Sequence, residues 1–177
     1  MRNIILAYIL LLSSMVVKAE DDNINSVRVP RHDISVNCGT PGLCTWSHGC
    51  TFYLQYLYRV SKTLNIGVSL TYQSYNFDDA FKKQRVGNSF FILPTLRCFW
   101  FHKRSFSLYS RCALGARFTH MFANEKVRSP YPVKDKMEVA CHICPIGMIL
   151  GKDLYFKMEV LGIGFQGLAD IGIGYQF

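Results

Sequence analysis

The chain has 177 residues, enough for one domain with its own core and too few for a comfortable pair. Half of them are hydrophobic and 14% are aromatic, while only 18% are charged, below the roughly 25% of soluble domains. That composition is oily for a water-soluble protein, and the net charge of +8 points to anionic surfaces such as lipid phosphates more than to nucleic acid.

The first element is "MRNIILAYILLLSSMVVKA", in which Arg2 precedes an apolar run that closes on Val17, Lys18 and Ala19. It reads as a cleavable secretory signal over residues 1–19. Ser13 and Ser14 interrupt the run and acidic Glu20, Asp21 and Asp22 follow at once, which disfavours a permanent membrane helix. No cysteine follows closely enough to accept a lipid anchor. Cleavage removes two positive charges, Arg2 and Lys18, and lowers the net charge from +8 to +6. No later apolar run reaches the ~18 residues of a membrane helix, so any further insertion must use strands.

Residues 20–30 are polar and unpatterned, a flexible N-terminal extension. From residue 31 to 177 the chain alternates with the period of two that sends successive strand side chains to opposite faces. "HDISVNC" sets Ile34, Val36 and Cys38 on one side; "TFYLQYLYRV" sets Phe52, Leu54, Tyr56, Tyr58 and Val60 against Thr51, Tyr53, Gln55 and Arg59. In "LNIGVSLTYQSY" Leu64, Ile66, Val68, Leu70 and Tyr72 share one parity, and Asn65, Gly67, Ser69, Thr71 and Gln73 the other. "SFFILPTLRCFWF", "FSLYSRCALGARFT", "EVACHICPIGMILG", "LYFKMEVLGIGF" and "ADIGIGYQF" bring the expected strands to eight. Phe156, Met158 and Val160 lie on one parity and Leu161, Ile163 and Phe165 on the next, a slip that a β-bulge would repair. Pro94 and Pro145 are uncomfortable inside a ladder.

Links alternate in length. Short ones fall at Ser61–Thr63, His102–Ser105 and Lys152–Asp153; longer ones at Gly39–Gly49, Asn76–Gly87 and His120–Met137, with a tight final link near Gln166–Gly167. Short turns on one side, long loops on the other and an even strand count are the pattern of a membrane barrel, and about 9–11 residues per strand suffice to cross a bilayer. Aromatic placement agrees: Tyr58, Trp100, Phe101, Phe106, Phe156, Tyr175 and Phe177 fall at the short-turn end, and Tyr72, Tyr75, Phe90, Phe118 and Phe122 at the other, as two interfacial girdles.

With its export signal, eight alternating segments and terminal "GIGYQF", the chain resembles the small outer-membrane β-barrel family of Gram-negative bacteria, of the OmpX and OmpA transmembrane-domain type. The resemblance spans nearly all of the mature chain, including "FILPTLRCFWF" and "PIGMILGKDLYFKMEVLGIGFQGLADIGIGYQF". It implies an all-β, eight-stranded antiparallel up-and-down transmembrane barrel over residues 31–177, with periplasmic turns, extracellular loops and both termini in the periplasm. Tyr175 and Phe177 resemble the C-terminal signal that such proteins present to the barrel assembly machinery. What the family implies is fold and location more than activity.

Arg59, Arg97, Arg111, Arg117, Lys157, Glu159 and Asp170 fall on the inward parity. Inside a narrow barrel such charges must pair or meet water. They form either a proton or ion path or a structural polar plug; because eight strands enclose a space that side chains fill, the plug is the expectation and an open pore is not. In the outer loops Lys82, Lys83, Arg85, Lys126, Arg128, Lys134 and Lys136 are candidates for lipopolysaccharide phosphates, or else a generically solvated surface.

All seven cysteines survive signal cleavage. Export permits disulfides, so a pair among Cys38, Cys44 and Cys50 could staple one outer loop, and the odd count leaves an unpaired thiol. "CHIC" at Cys141–Cys144 resembles a metal or redox pair, but positions i and i+3 of a strand face opposite ways. Cys98, Cys112 and Cys144 read as small wall residues. His120 and His142 are expected at the outer rim, exposed. No metal, cofactor or nucleic-acid platform is expected.

The function read from the sequence is a non-enzymatic, structural or adhesion-like cell-surface protein, monomeric and porin-like in architecture, with membrane lipid and lipopolysaccharide as partners. Two alternatives remain. A lipid A deacylase or acyltransferase would need a nucleophile beside a base, and Ser129 and Glu125 are near His120 in sequence only. A secreted lipocalin-like barrel would need an apolar interior.

Overall fold

The computed structural model describes residues 31–40, 48–78, 84–103, 105–122 and 135–177. The expected signal peptide and N-terminal extension lie outside the described residues, as do Cys44, Lys82, Lys83, Glu125, Lys126, Arg128, Ser129 and Lys134.

The strands are β1 His32–Gly39, β2 His48–Arg59, β3 Leu64–Asp78, β4 Gln84–Lys103, β5 Phe106–Phe122, β6 Lys136–Gly151, β7 Leu154–Val160, β8 Ile163–Gly164 and β9 Ala169–Gln176. Each long strand pairs antiparallel with its neighbours, β1 joins β9, and the β5–β6 pairing closes the sheet on itself. β8 continues β7 along β6 in one register, from Ile146↔Val160 to Ile143↔Ile163. The two therefore make one stave, and the barrel has eight. Closure leaves no edge strand with unpaired backbone groups, the condition for a sheet surrounded by hydrocarbon.

The parity slip after Val160 has a structural cause. Leu161 takes a left-handed backbone with φ 61°, so Val160 and Leu161 both turn outward before Gly162 faces in again. Pro145 is absorbed in another irregularity: Tyr109 opposes Gly147 while Arg111 opposes Cys144, leaving one extra residue on β6, where a proline without an N–H costs no ladder bond. Pro94 opposes Val68 on β3, and on its other side the β4–β5 pairing passes from Ile92↔Ala116 to Thr95↔Ala113.

Several strands exceed the expected bounds. β3 runs to Asp78 and β4 starts at Gln84, so both ends of the loop expected over Asn76–Gly87 lie in strands. Arg85, expected in that loop, lies in β4 opposite Phe77. Continued pairing satisfies backbone groups beyond the apolar band, which side-chain alternation alone does not reveal. Lys136, likewise expected in a loop, is the first residue of β6, opposite Thr119.

The distribution of side chains inverts that of a soluble protein. Val36 is 62% and the opposed Ile173 61% exposed, whereas Arg97 is fully buried. Phe52, Tyr72, Phe90, Phe118 and Met137 form one cross-strand row on the outside near the outer end. At the other end Tyr58, Trp100, Phe101, Phe156, Tyr175 and Phe177 are exposed.

Inward glycines make room for the interior. Gly147 directly opposes Tyr109 and Gly174 opposes Tyr155, and a Cβ at either would sit inside the tyrosine ring. Gly174 of "GIGYQF" is thus a socket for a ring that crosses the lumen, while Gly172 makes room for the Asn37 amide. Gly147→Val or Gly174→Val should displace its ring and lower unfolding free energy by about 1–3 kcal/mol, read as a lower urea midpoint of the refolded barrel. Ile173→Val on the outside should leave that midpoint nearly unchanged.

Candidate functional site

The inward parity brings charge from five strands into one continuous network. At the short-turn end Asp33 accepts from Tyr155 Oη at 2.5 Å and Arg97 Nη1 at 2.7 Å. Arg97 also donates to Gln55 Oε1 at 2.5 Å, which receives Lys157 Nζ at 3.1 Å. Lys157 lies 3.0 Å from Glu159. Arg111 forks onto Glu159, with Nε 2.9 and 3.0 Å from its two oxygens and Nη2 on Oε2 as well. Tyr109 Oη donates to Glu159 at 2.7 Å and Tyr53 Oη to Asp170 at 2.6 Å. Arg111 Nη1 donates to Gln166 Oε1 at 2.5 Å, and Gln166 Nε2 to Thr71 at 2.6 Å.

Three cations, Arg97, Arg111 and Lys157, therefore meet three carboxylates, Asp33, Glu159 and Asp170. Each buried ion forfeits several kcal/mol of hydration, and only this balance with its added hydrogen bonds makes the burial tolerable. Aromatic faces assist: the Arg97 guanidinium lies 4.7 Å from the Tyr109 centroid, Arg111 5.3 Å and Lys157 5.0 Å from that of Tyr53.

The remaining inward arginines flank this network. Arg59 is half-buried at the short-turn end, over Phe99 at 5.8 Å. Arg117 is buried toward the outer end, over Phe165 at 5.0 Å and Phe91 at 5.4 Å, with Nε donating to Ser89 at 3.1 Å. Beneath it Phe91, Leu93, Ala113 and Ala140 form a small apolar cluster against Phe165.

Tyr53 and Gln55, on the inward parity expected for them, join the network, and Asp33, Tyr109, Tyr155 and Gln166 are members not expected from the sequence. Asp33 is accessible by parity, since it alternates with Ile34 and Val36. Tyr109 and Tyr155 are hidden because their rings count as apolar in a pattern although their hydroxyls do the bonding. Gln166 had no signal, being assigned to a link.

His142 corrects an expectation. It is fully buried and faces the lumen, not the rim, with neither ring nitrogen paired; the strands extend far enough outward that its position lies opposite Gly164 within the ladder. His120 is exposed and meets Asp135 at 2.5 Å. Lys136 pairs with Glu138. Of "CHIC", Cys141 points out and Cys144 in; Cys98 is buried and Cys112 half-buried on the wall side. Cys38 and Cys50 are separate thiols on the outer face of adjoining strands. Phe177 stacks on His32 at 5.3 Å and on Tyr175 at 5.9 Å, and its carbonyl accepts from Arg31 and His32 N–H.

The chain matches no family model and no curated protein. Among solved structures it is similar to the N-terminal β-barrel domain of Pseudomonas aeruginosa OprF, with TM-score 0.53 and 14% identity over 84% of this chain and 98% of that one. It is similar also to Ail, the attachment invasion locus protein of Yersinia pestis, with TM-score 0.53 and 12% identity over 84% and 99%. A complex of Ail with the heparin analogue sucrose octasulfate gives TM-score 0.51 and 15% identity over 84% and 99%. At these identities the likeness concerns the fold.

Glu159→Gln would leave Arg111 and Lys157 facing a neutral amide in a buried site. The expected loss is about 3–5 kcal/mol, measured by urea unfolding of the refolded barrel. Joint replacement Arg111→Met/Glu159→Leu should recover part of that loss, because the charges that remain, Arg97 and Lys157 against Asp33 and Asp170, balance again.

Proposed function

We propose that this chain is a small outer-membrane β-barrel of the bacterial cell surface, exported by a cleaved signal, with its short turns in the periplasm and a sealed, non-conducting lumen. The carrying observation is the inversion of the wall: large apolar side chains outside, charges and amides inside. A lipocalin-like carrier needs the opposite interior, so this inversion favours a barrel whose solvent is hydrocarbon. Ail, one of the structures similar in fold, is an outer membrane protein, which supports the same location. The role is surface interaction without catalysis. Tyr175 and Phe177 serve as the signal for barrel assembly, and the barrel is a monomer.

The outer end supplies the partner. An open concavity of about 440 Å³ is lined by Tyr72, Phe90, Phe118 and Met137 and by His120, Asp135 and Lys136. An acyl chain suits the apolar lining; the charged lining, where His120 meets Asp135 and Lys136 meets Glu138, mixes both signs, so a phosphate above it is left to the basic loop residues. Lipopolysaccharide carries both groups, with Lys82, Lys83, Arg85, Lys126, Arg128 and Lys134 as further contacts. That the fold neighbour Ail was captured with a heparin analogue supports contact with polyanions.

Carbonate washing of membranes combined with a heat-shift gel tests the location. The protein should stay with membranes and migrate differently when unboiled; a protein that washes free and stays monodisperse without detergent ends the proposal. In planar bilayers the refolded chain should pass no steady current. Val36→Arg on the lipid face should lower stability by about 2–4 kcal/mol. Serine at Lys126, Arg128, Lys134 and Lys136 should weaken binding to lipopolysaccharide, whereas unchanged binding would reduce those charges to surface.

A further inference from the structure

Residues 161–168, between β7 and β9, stay in the wall at Leu161, Ile163 and Leu168, which are exposed, and carry Phe165 and Gln166 into the lumen beneath Arg117. Gln166 is fully buried, held by Arg111 of β5 at 2.5 Å and Thr71 of β3 at 2.6 Å. Phe165 packs on Phe91 with ring centroids 6.4 Å apart and lies under Arg117. Besides these contacts the tip is fixed by the two ladder pairs of β8 and by Phe165 N–H donating to the Cys141 carbonyl at 3.3 Å.

Its base is built to move. Leu161 holds a left-handed φ of 61° and Gly164 a φ of 127°, with Gly162 and Gly167 also in the segment. A side-chain-bearing residue in that region is strained, and such strain gathers at switch segments.

The inward position also leaves polar atoms without partners around the tip. Among the described residues Thr51 Oγ1 and both amide atoms of Gln73 have no partner; the two residues oppose one another, one inward step beyond Thr71. Both nitrogens of His142, opposite Gly164, are unpaired as well. Buried donors and acceptors without partners oppose the closed arrangement. Moving the tip outward would hydrate them, which offsets part of the loss of the two Gln166 bonds, the Phe165 contacts and the β8 pairs.

We infer that the tip of the last hairpin is a displaceable latch. It swings outward about Leu161–Gly162 and Gly167 and opens the outer half of the lumen as a vestibule for water and small polar solutes. The Arg97–Asp33 and Arg111–Glu159 pairs below keep the barrel closed to through-flow. This inference rests on the sealed-lumen reading only for that last clause, and the two fail separately in the test.

Cys144 is the probe. It faces inward on β6, two residues below His142. The other six cysteines, Cys38, Cys44, Cys50, Cys98, Cys112 and Cys141, are replaced by serine in the full chain. The barrel is refolded in detergent and treated with a cationic, membrane-impermeant methanethiosulfonate, and mass spectrometry follows the rate at Cys144. Heat-shift gels restrict the measurement to folded barrel.

Gln166→Ala should raise the labelling rate about tenfold, the factor that corresponds to about 1.4 kcal/mol of lost latch contact. Gln166→Glu keeps an acceptor for Arg111 and should label no faster than the unsubstituted chain. A disulfide between Thr71→Cys and Gln166→Cys, closed with diamide, should push the rate below that of the unsubstituted chain. Equal rates in the Gln166→Ala and unsubstituted barrels, or labelling undiminished by the lock, would overturn the latch. A steady current through the unsubstituted chain would overturn the seal and leave the labelling result standing.

Discussion

Glu159 accepts hydrogen bonds from Arg111 and Tyr109 and lies 3.0 Å from Lys157, and the rest of the interior is arranged so that this carboxylate is never alone. The constraint behind it is general. Eight strands enclose a space that side chains fill, and an ion taken from water into it must be met by an opposite charge and by donors for its remaining lone pairs. Arg111 supplies the charge as a planar fork, which a lysine could not do. Tyr109 crosses the lumen to complete the set only because Gly147 opposes it with no side chain.

The same constraint explains the distribution of glycine and tyrosine. Tyr53, Tyr109 and Tyr155 bring hydroxyls to carboxylates while their rings fill volume, and those of Tyr53 and Tyr109 face guanidinium or ammonium groups. Removing a ring would therefore cost packing and polar satisfaction together. The network also links strands far apart in the chain, Asp33 of β1 to Arg97 of β4 and Gln166 to Thr71, so it holds the barrel's cross-section as the backbone ladders hold its circumference.

In the reading proposed above, the division between wall and lumen leaves the rims and the outer band as the interaction surfaces. The cross-strand row from Phe52 to Met137 suits an interfacial level where rings meet lipid headgroups. Above it, the pairs His120–Asp135 and Lys136–Glu138 mix both signs, so affinity for an anion there depends on the basic loop residues beyond.

Alternation alone determined the eight-stave architecture and which face of each strand carries charge. A period of two is local, and side chains of one parity share a face wherever the strand is placed. It also marked the slip at Val160–Leu161, because two successive apolar residues on a half-polar wall require an irregular backbone. Three things waited for the tertiary structure. The partners of Arg97, Arg111 and Glu159 come from strands whose register depends on bulges such as that at Pro145. The inward turn of Phe165 and Gln166 rests on the left-handed Leu161. The burial of His142, expected at the rim, depends on how far β6 climbs and on the tip that covers it. Each is set by closure of the sheet, a long-range condition that fixes which distant strands face one another and that no window of sequence contains.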